Sequence, residues 1–325
     1  MRCLRTSLAA LLIVGSSSTL FAHEPPGEVF FAFQFPANAV PAIDGDLSDW
    51  NMVPADIFEI SVENGWIQET VRGDAGNDLS DFNARSMWAW NEESNRVYSM
   101  VSVVDEFLNN NREDPTRYNW DDDWHFVMDA DHSGGDMFAN EWGDLPQEEN
   151  RELYFTTGRL WQIHVPPIDG YYAFTYIEAT DWLTTGQELP FPEFVEIGWS
   201  RSGATGGPGT YTYEIKLTPW ERWDWDGPGQ STIVDLEVGS VIHVGSLAKD
   251  YDNADDRYDG SYDFPPVHNV WRNANLMADM ELLPVDGDAF PTAVEQDSWG
   301  TKAMKLVSSA KLRKAQQLSE QSKSY

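Results

Sequence analysis

The stretch WDDDWHFVMDADHSGGD, Trp120 to Asp136, decides the fold of this chain. It opens on an aromatic followed by three carboxylates. Trp124 to Met128 is a short apolar run that reads as a buried strand. The stretch then ends in a loop with Asp129, Asp131, Ser133 and Asp136 around Gly134 and Gly135. A strand feeding alternate oxygen ligands into a glycine-turned loop suits a hard cation such as calcium. A tryptophan at the lip of such a strand suits the C–H face of a sugar, which packs on an indole like other apolar surface. Both features point to a calcium-stiffened β protein that binds carbohydrate.

Outward from this stretch, short strand-like runs recur between turn signals. They fall at Ile57–Val62, Ser86–Trp90, Val97–Val104, Trp124–Asp129, Glu152–Thr156, Leu160–Val165, Tyr171–Ile177, Phe194–Trp199, Thr210–Leu217, Val241–Leu247 and Met280–Leu283. Tyr211, Tyr213 and Ile215 alternate and would share one face. Val29 to Phe35 adds an apolar opening segment. Helical periodicity is nearly absent. Trp220–Trp225 reads as one short turn, since Pro219 suits a first helical position. Many short strands with Gly, Pro and Asp turns predict an all-β chain, a two-sheet antiparallel β-sandwich of jelly-roll-like form. A short C-terminal tail, helical or frayed, is expected after it.

The ends of the chain differ from its middle. Arg2 and Arg5, the apolar run Leu8–Val14 and the Leu20-Phe21-Ala22 site read as a signal peptide over residues 1–22. The protein is therefore expected to be secreted, extracellular or periplasmic, with the sandwich over 23–300. Cys3, the one cysteine, lies in that leader, so disulfides contribute nothing to the expected mature chain. No apolar run is long enough for a membrane span. Residues 301–325 are basic and read as a helical or frayed tail, the frayed form being preferred. The whole chain carries 54 acidic against 21 basic residues, a formal charge of −33. Such a surface repels nucleic acid and anionic membranes and favours cations and neutral partners. Fifteen tryptophans in an acidic, glycine-containing chain fit a glycan binder.

Six segments in order carry a resemblance. They are IDGDLSDW (Ile43–Trp50), MWAWNEESNRVYSMVSVVDEF (Met87–Phe107), WDDDWHFVMDADHSGG (Trp120–Gly135), TYTYEIKLTPW (Thr210–Trp220), VGSVIHVGSLAKDYDN (Val238–Asn253) and HNVWRNANLMADMEL (His268–Leu282). Over Val40 to Leu283 the chain resembles carbohydrate-binding module family 9. That resemblance implies a calcium-containing sandwich in which two tryptophans clamp a terminal sugar. The matching aromatics are Trp120 and Trp271. By family position, His125, Arg151, Tyr154, His268 and Asn269 would line the pocket. Trp120 aligns only with a one-residue gap, and the family's strand carboxylate falls on His125.

Metal ligands are expected at Asp129, Asp131, Ser133 and Asp136. Asp129, Asp131, Ser133 and Gly134 match the first, third, fifth and sixth positions of a calcium loop, although Asn140 takes the twelfth and Glu141 follows one place late. A second set is Asp250, Asp252 and Asp255, beside Asp256 and Asp259. Like charges this dense repel, and calcium would relieve them. Of Asp121, Asp122 and Asp123, one is expected to turn inward. Trp50, Trp88, Trp90, Trp124, Trp199 and Trp220 are expected to be structural, and His243 a satisfied core histidine.

The expected function is noncatalytic binding of a poly- or oligosaccharide, tied to polysaccharide degradation. Three alternatives stand beside it. A glycosidase would need a carboxylate pair at fixed spacing, which 54 acidic residues cannot single out. A haem-binding sandwich would draw on Met100, Met128 or His164. A surface structural module would keep the fold without glycan affinity.

Overall fold

The computed structural model describes residues 23–71, 77–110, 121–137, 193–222, 224, 226–252 and 259–285, with the backbone of two further strands at 159–164 and 173–175. In chain order the strands are β1 (Phe30–Gln34), β2 (Ile60–Ser61), β3 (Gln68–Glu69), β4 (Phe82–Asn91), β5 (Arg96–Asp105), β6 (Asp123–Asp129), β7 (Arg159–His164), β8 (Ala173–Thr175), β9 (Val195–Gly203), β10 (Gly209–Leu217), β11 (Trp220–Arg222), β12 (Thr232–Ile233), β13 (Val241–Asp250), β14 (Gly260–Phe264) and β15 (Ala278–Leu282). The α-helix among them is a single turn, α1 (Ala55–Phe58).

Two layers form. The first runs β8-β7-β6-β13-β15-β1, and the second runs β1-β4-β5-β10-β9. β1 belongs to both. Phe30, Phe31 and Ala32 pair with β15, then Phe33 and Gln34 pair with β4, so one strand turns the corner between layers. β1 is parallel to both neighbours, while the other pairings among the described strands are antiparallel. β13 serves two neighbours along one edge, β15 at Val241–Val244 and β14 at Ser246–Asp250. The chain is thus the expected all-β sandwich.

Strand alternation explains the interior. Trp124, Phe126 and Met128 of β6 share one face, and Tyr211, Tyr213, Ile215 and Leu217 of β10 share another; all join the core with Trp88, Trp90 and Val101. β4 is buried on both sides. Its Met87 and Ala89 pack in a separate cluster with Phe33, Phe35, Trp50, Phe58 and Tyr98, beneath the opening segment.

IDGDLSDW docks on one buried side chain. Glu214 of β10 accepts the Trp50 indole N–H at 2.9 Å on Oε1, and the N–H groups of Gly45 (2.8 Å) and Asp44 (3.1 Å) on Oε2. Burial still raises this carboxyl above the ordinary range, despite those donors. Gly45 has φ +85°, and a Cβ there would lie 2.3 Å from the Trp199 carbonyl carbon. Asp46 accepts the Ser48 N–H and caps the 3-10 turn that delivers Trp50.

Two local expectations change. Ile57–Val62 is not one strand. Pro54 starts the turn α1, with its carbonyl accepting from Ile57 and Phe58, and only Ile60–Ser61 is extended. Trp220–Trp225 is not a helical turn over its described part. Trp220–Arg222 is strand β11, because Thr232–Ile233 offers it a partner. Trp50, Trp88, Trp90, Trp124 and Trp220 are buried as expected, and Trp199 is partly buried against the core. Residues 1–22, Glu152–Thr156 and 301–325 lie outside the described residues.

Candidate functional site

At one end of the sandwich the strands of both layers deliver carboxylates. β5 ends at Asp105, paired with Phe82 at the start of β4, and β13 ends at Asp250, paired with Gly260 at the start of β14. One oxygen from each of Asp105, Asp250 and Asp252 lies within 4.8 Å of the others, and so does one from each of Asp81, Glu106 and Asp252. Asp105 is 1 % exposed; its Oδ1 accepts the Phe107 N–H at 2.8 Å, while Oδ2 is buried without a donor. Burial pushes its carboxyl up to about 6 against the Phe107 N–H, and Asp81 and Glu106 add to the rise.

Asp122 stands beside this cluster and knits it. It accepts the Asn109 N–H at 2.5 Å and the Tyr251 N–H at 2.9 Å, so it joins the segments after β5 and β13. Burial, with Asp105 and Asp250 nearby, holds it well above the usual carboxylate range. Asp121, Asp122 and Asp123 are all buried, where only one was expected to turn inward. Asp122 is fixed by backbone donors, and Asp123 Oδ2 meets His125 Nε2 at 2.8 Å. Of the expected second metal set, Asp250 and Asp252 enter the cluster, and Asp255 and Asp256 lie outside the described residues. Asp105, Asp81 and Glu106 were missed, and Asp122 was singled out only as one of a run from which one carboxylate turns inward. Their signals were the carboxylates at strand ends in LSDF, VVDEF and WDDDW, which only the sheet register brings together.

The loop after β6 is ordered by its own carboxylates. Asp129 Oδ2 accepts the Gly134 N–H at 2.8 Å and faces His243 Nδ1 at 3.0 Å. Burial opposes its ionisation, but His243 and the Gly134 N–H hold it below the ordinary range. Ser133 Oγ donates to Asp131 at 2.9 Å and lies 3.4 Å from Asp129. Burial and the adjacent Asp129 raise Asp131 to about 6. Asp136 is engaged by the Asn273 amide at 2.5 Å. The structure therefore gathers Asp129, Asp131 and Ser133, and gives Asp136 a separate partner.

The expected sugar residues divide. Trp271, His268 and Asn269 sit together on the segment between β14 and β15. This segment crosses β13 at Gly245, where a Cβ would lie 2.6 Å from Val270 Cγ2. Trp271 is partly buried against the core, with the Arg272 guanidinium carbon 5.4 Å from its ring centroid. His268 is exposed and lies 3.4 Å from Asp263 Oδ2, which also takes the Thr70 hydroxyl. Asn269 holds the segment in a left-handed turn, φ 72°. His125 is buried on β6 and paired with Asp123, so it is an internal group. Trp120, Arg151 and Tyr154 lie outside the described residues. Met100 and Met128 are buried in different packing clusters, which weighs against a shared haem; the His164 side chain lies outside the described residues.

No family model matches the sequence, and no curated protein matches it. Among solved structures the chain is similar to a carbohydrate binding module family 9 from Caldicellulosiruptor kristjanssonii in complex with glucose. Identity is 12 %, TM-score 0.46, and the match covers 80 % of this chain and 97 % of that one. A carbohydrate binding module family 9 from the same organism in complex with cellotriose gives 13 % identity, TM-score 0.45, and coverage of 82 % and 99 %. The sugars in those complexes are properties of those proteins. Among the described residues, no helix is long and apolar enough to cross a membrane.

Proposed function

We propose that this chain is a noncatalytic carbohydrate-binding sandwich, exported after removal of its leader and stiffened by calcium. The observation that carries the sugar reading is Trp271. It is a partly exposed indole on a segment laid over the sheet, flanked by His268, Asn269 and Arg272. An indole face packs against a pyranose while neighbouring polar groups take its hydroxyls. The six ordered sequence segments support the same reading. Calcium is assigned to the end cluster, because Asp105, Asp250 and Asp252 with Asp81 and Glu106 supply only oxygen. The Asp129–Asp131–Ser133 loop is the second place for such an ion.

Titration calorimetry against mono- and oligosaccharides, with calcium and with EDTA, tests this. Saccharide binding is expected, weaker in EDTA if calcium orders the fold around the site. A protein that melts cooperatively yet binds no saccharide in either buffer is a structural module instead.

A further inference from the structure

At the other end of the first sheet, four side chains from four places converge. Asp279 of β15 is paired across the ladder with His243 of β13, which is paired on its other side with Asp129 of β6. His132, from the loop after β6, reaches back over this row. His132 Nε2 lies 2.9 Å from Asp279 Oδ1, His243 Nε2 3.2 Å from the same oxygen, and His23 Nδ1 3.1 Å from Oδ2. The rings of His132 and His243 lie 3.7 Å apart, tilted by 30°. One ligand atom from each of His132, His243 and Asp279 lies within 4.8 Å of the others.

We propose that His132, His243 and Asp279 bind a first-row transition ion, zinc foremost, with His23 holding Asp279 by its other oxygen. Three observations carry this. The first is spacing. Ligands at about 2.0 Å from zinc in a tetrahedron stand about 3.3 Å apart, close to the 2.9 and 3.2 Å that separate His132 Nε2 and His243 Nε2 from Asp279 Oδ1. The second is orientation. His243 Nδ1 faces Asp129 Oδ2 at 3.0 Å, which assigns its N–H to that carboxylate and leaves Nε2 as the ligand nitrogen. Nε2 is buried and lies near Asp279 without the alignment of a hydrogen bond, on a residue 1 % exposed. The third is donor chemistry. Imidazole nitrogens with one carboxylate suit zinc, copper or nickel, whereas the all-oxygen cluster at the far end suits calcium. An ion here would tie β13 and β15 to the loop after β6.

The test uses the purified full chain, stripped of metal, with Zn2+ by calorimetry and Co2+ by visible absorption. One equivalent of Zn2+ is expected, with excess Ca2+ failing to displace it, and Co2+ should give the intense bands of four-coordinate geometry. His132→Ala sits in an exposed loop and should keep the fold while weakening Zn2+ at least about tenfold. Asp129→Asn should weaken it by roughly 10–100-fold, as loss of an orienting partner does. Arg85→Ala, on a strand of the second layer, lies outside the cluster and should leave Zn2+ affinity unchanged. The proposal is overturned if Zn2+ does not bind, or if it binds equally to His132→Ala. It is also overturned if Ca2+ displaces it, which would place the ion on the acidic end.

Discussion

Asp105→Asn should stabilise the calcium-free protein and abolish much of its response to calcium. The ordinary aspartate value is 3.8, and burial carries Asp105 to about 6. A folded value above the unfolded one means the native state holds the extra proton between those limits. Its contribution is therefore full below about pH 4 and is lost as pH rises through 6. A shift of about two units corresponds to about 3 kcal/mol above pH 6. Asparagine keeps the acceptor for the Phe107 N–H and removes the charge, so in EDTA at pH 7.5 the variant should be more stable by up to about 3 kcal/mol. For a domain of this size that is roughly 6–12 °C in melting temperature. At pH 4 the difference should vanish. Calcium at a hundredfold its dissociation constant should return about 2.7 kcal/mol to the wild type and little to the variant. Paired melts at the two pH values, with EDTA and with calcium, read all of this. A variant less stable than wild type in EDTA at pH 7.5, or one that keeps the whole calcium shift, would refute the reasoning.

Trp271→Ala should cost about 2 kcal/mol or more of saccharide affinity with a smaller loss of stability, whereas Trp124→Ala, fully buried, should destabilise by roughly 3–5 kcal/mol. Calorimetry and melts separate them; a collapsed Trp271→Ala with unchanged affinity would assign that ring to the core. Gly45→Ala adds a methyl against the Trp199 backbone at positive φ and should cost more than about 2 kcal/mol, read by urea denaturation. An unchanged midpoint would mean the opening motif does not dock as described. Glu214→Gln turns an amide NH2 toward either the Trp50 indole or the Gly45 and Asp44 N–H groups, leaving buried donors facing each other. It should cost about 1–3 kcal/mol and change the Trp50 fluorescence; wild-type stability would show that the charge on Glu214 is dispensable.

The layers were legible because alternation is local. Tyr211, Tyr213 and Ile215 declare their shared face within five residues, and Trp124 to Met128 declare a buried strand in one apolar run. What failed locally failed for lack of a neighbour. Nothing near Trp220 announces Thr232–Ile233, so Pro219 suggested a turn where the chain is extended. β14 was passed over because its residues, Gly-Ser-Tyr-Asp-Phe, sit beside a run of aspartates that reads as a loop. β1 reads as a simple apolar opening, and its role as the strand shared by both layers exists only once β15 and β4 lie on either side.

The site was legible by residue type and not by grouping. Asp250 and Asp252 stood out by density, but Asp105 joins them only through the register that ends β5 and β13 at the same edge of the sandwich. The outer face of β6 shows the same limit. Asp123, His125 and Asp129 alternate with Trp124, Phe126 and Met128, which normally marks a solvated side; here all three are buried. Burying them is tolerable because His125 answers Asp123 and His243 answers Asp129. The Asp129–His243 pair requires β13 to sit in one register, since a slip of one residue would set Asp129 against Ile242 or Val244. The same register sets Gly245 opposite Val127, and because Gly245 carries no Cβ, Val270 of the segment between β14 and β15 lies close against it, which sets where the adjoining Trp271 stands.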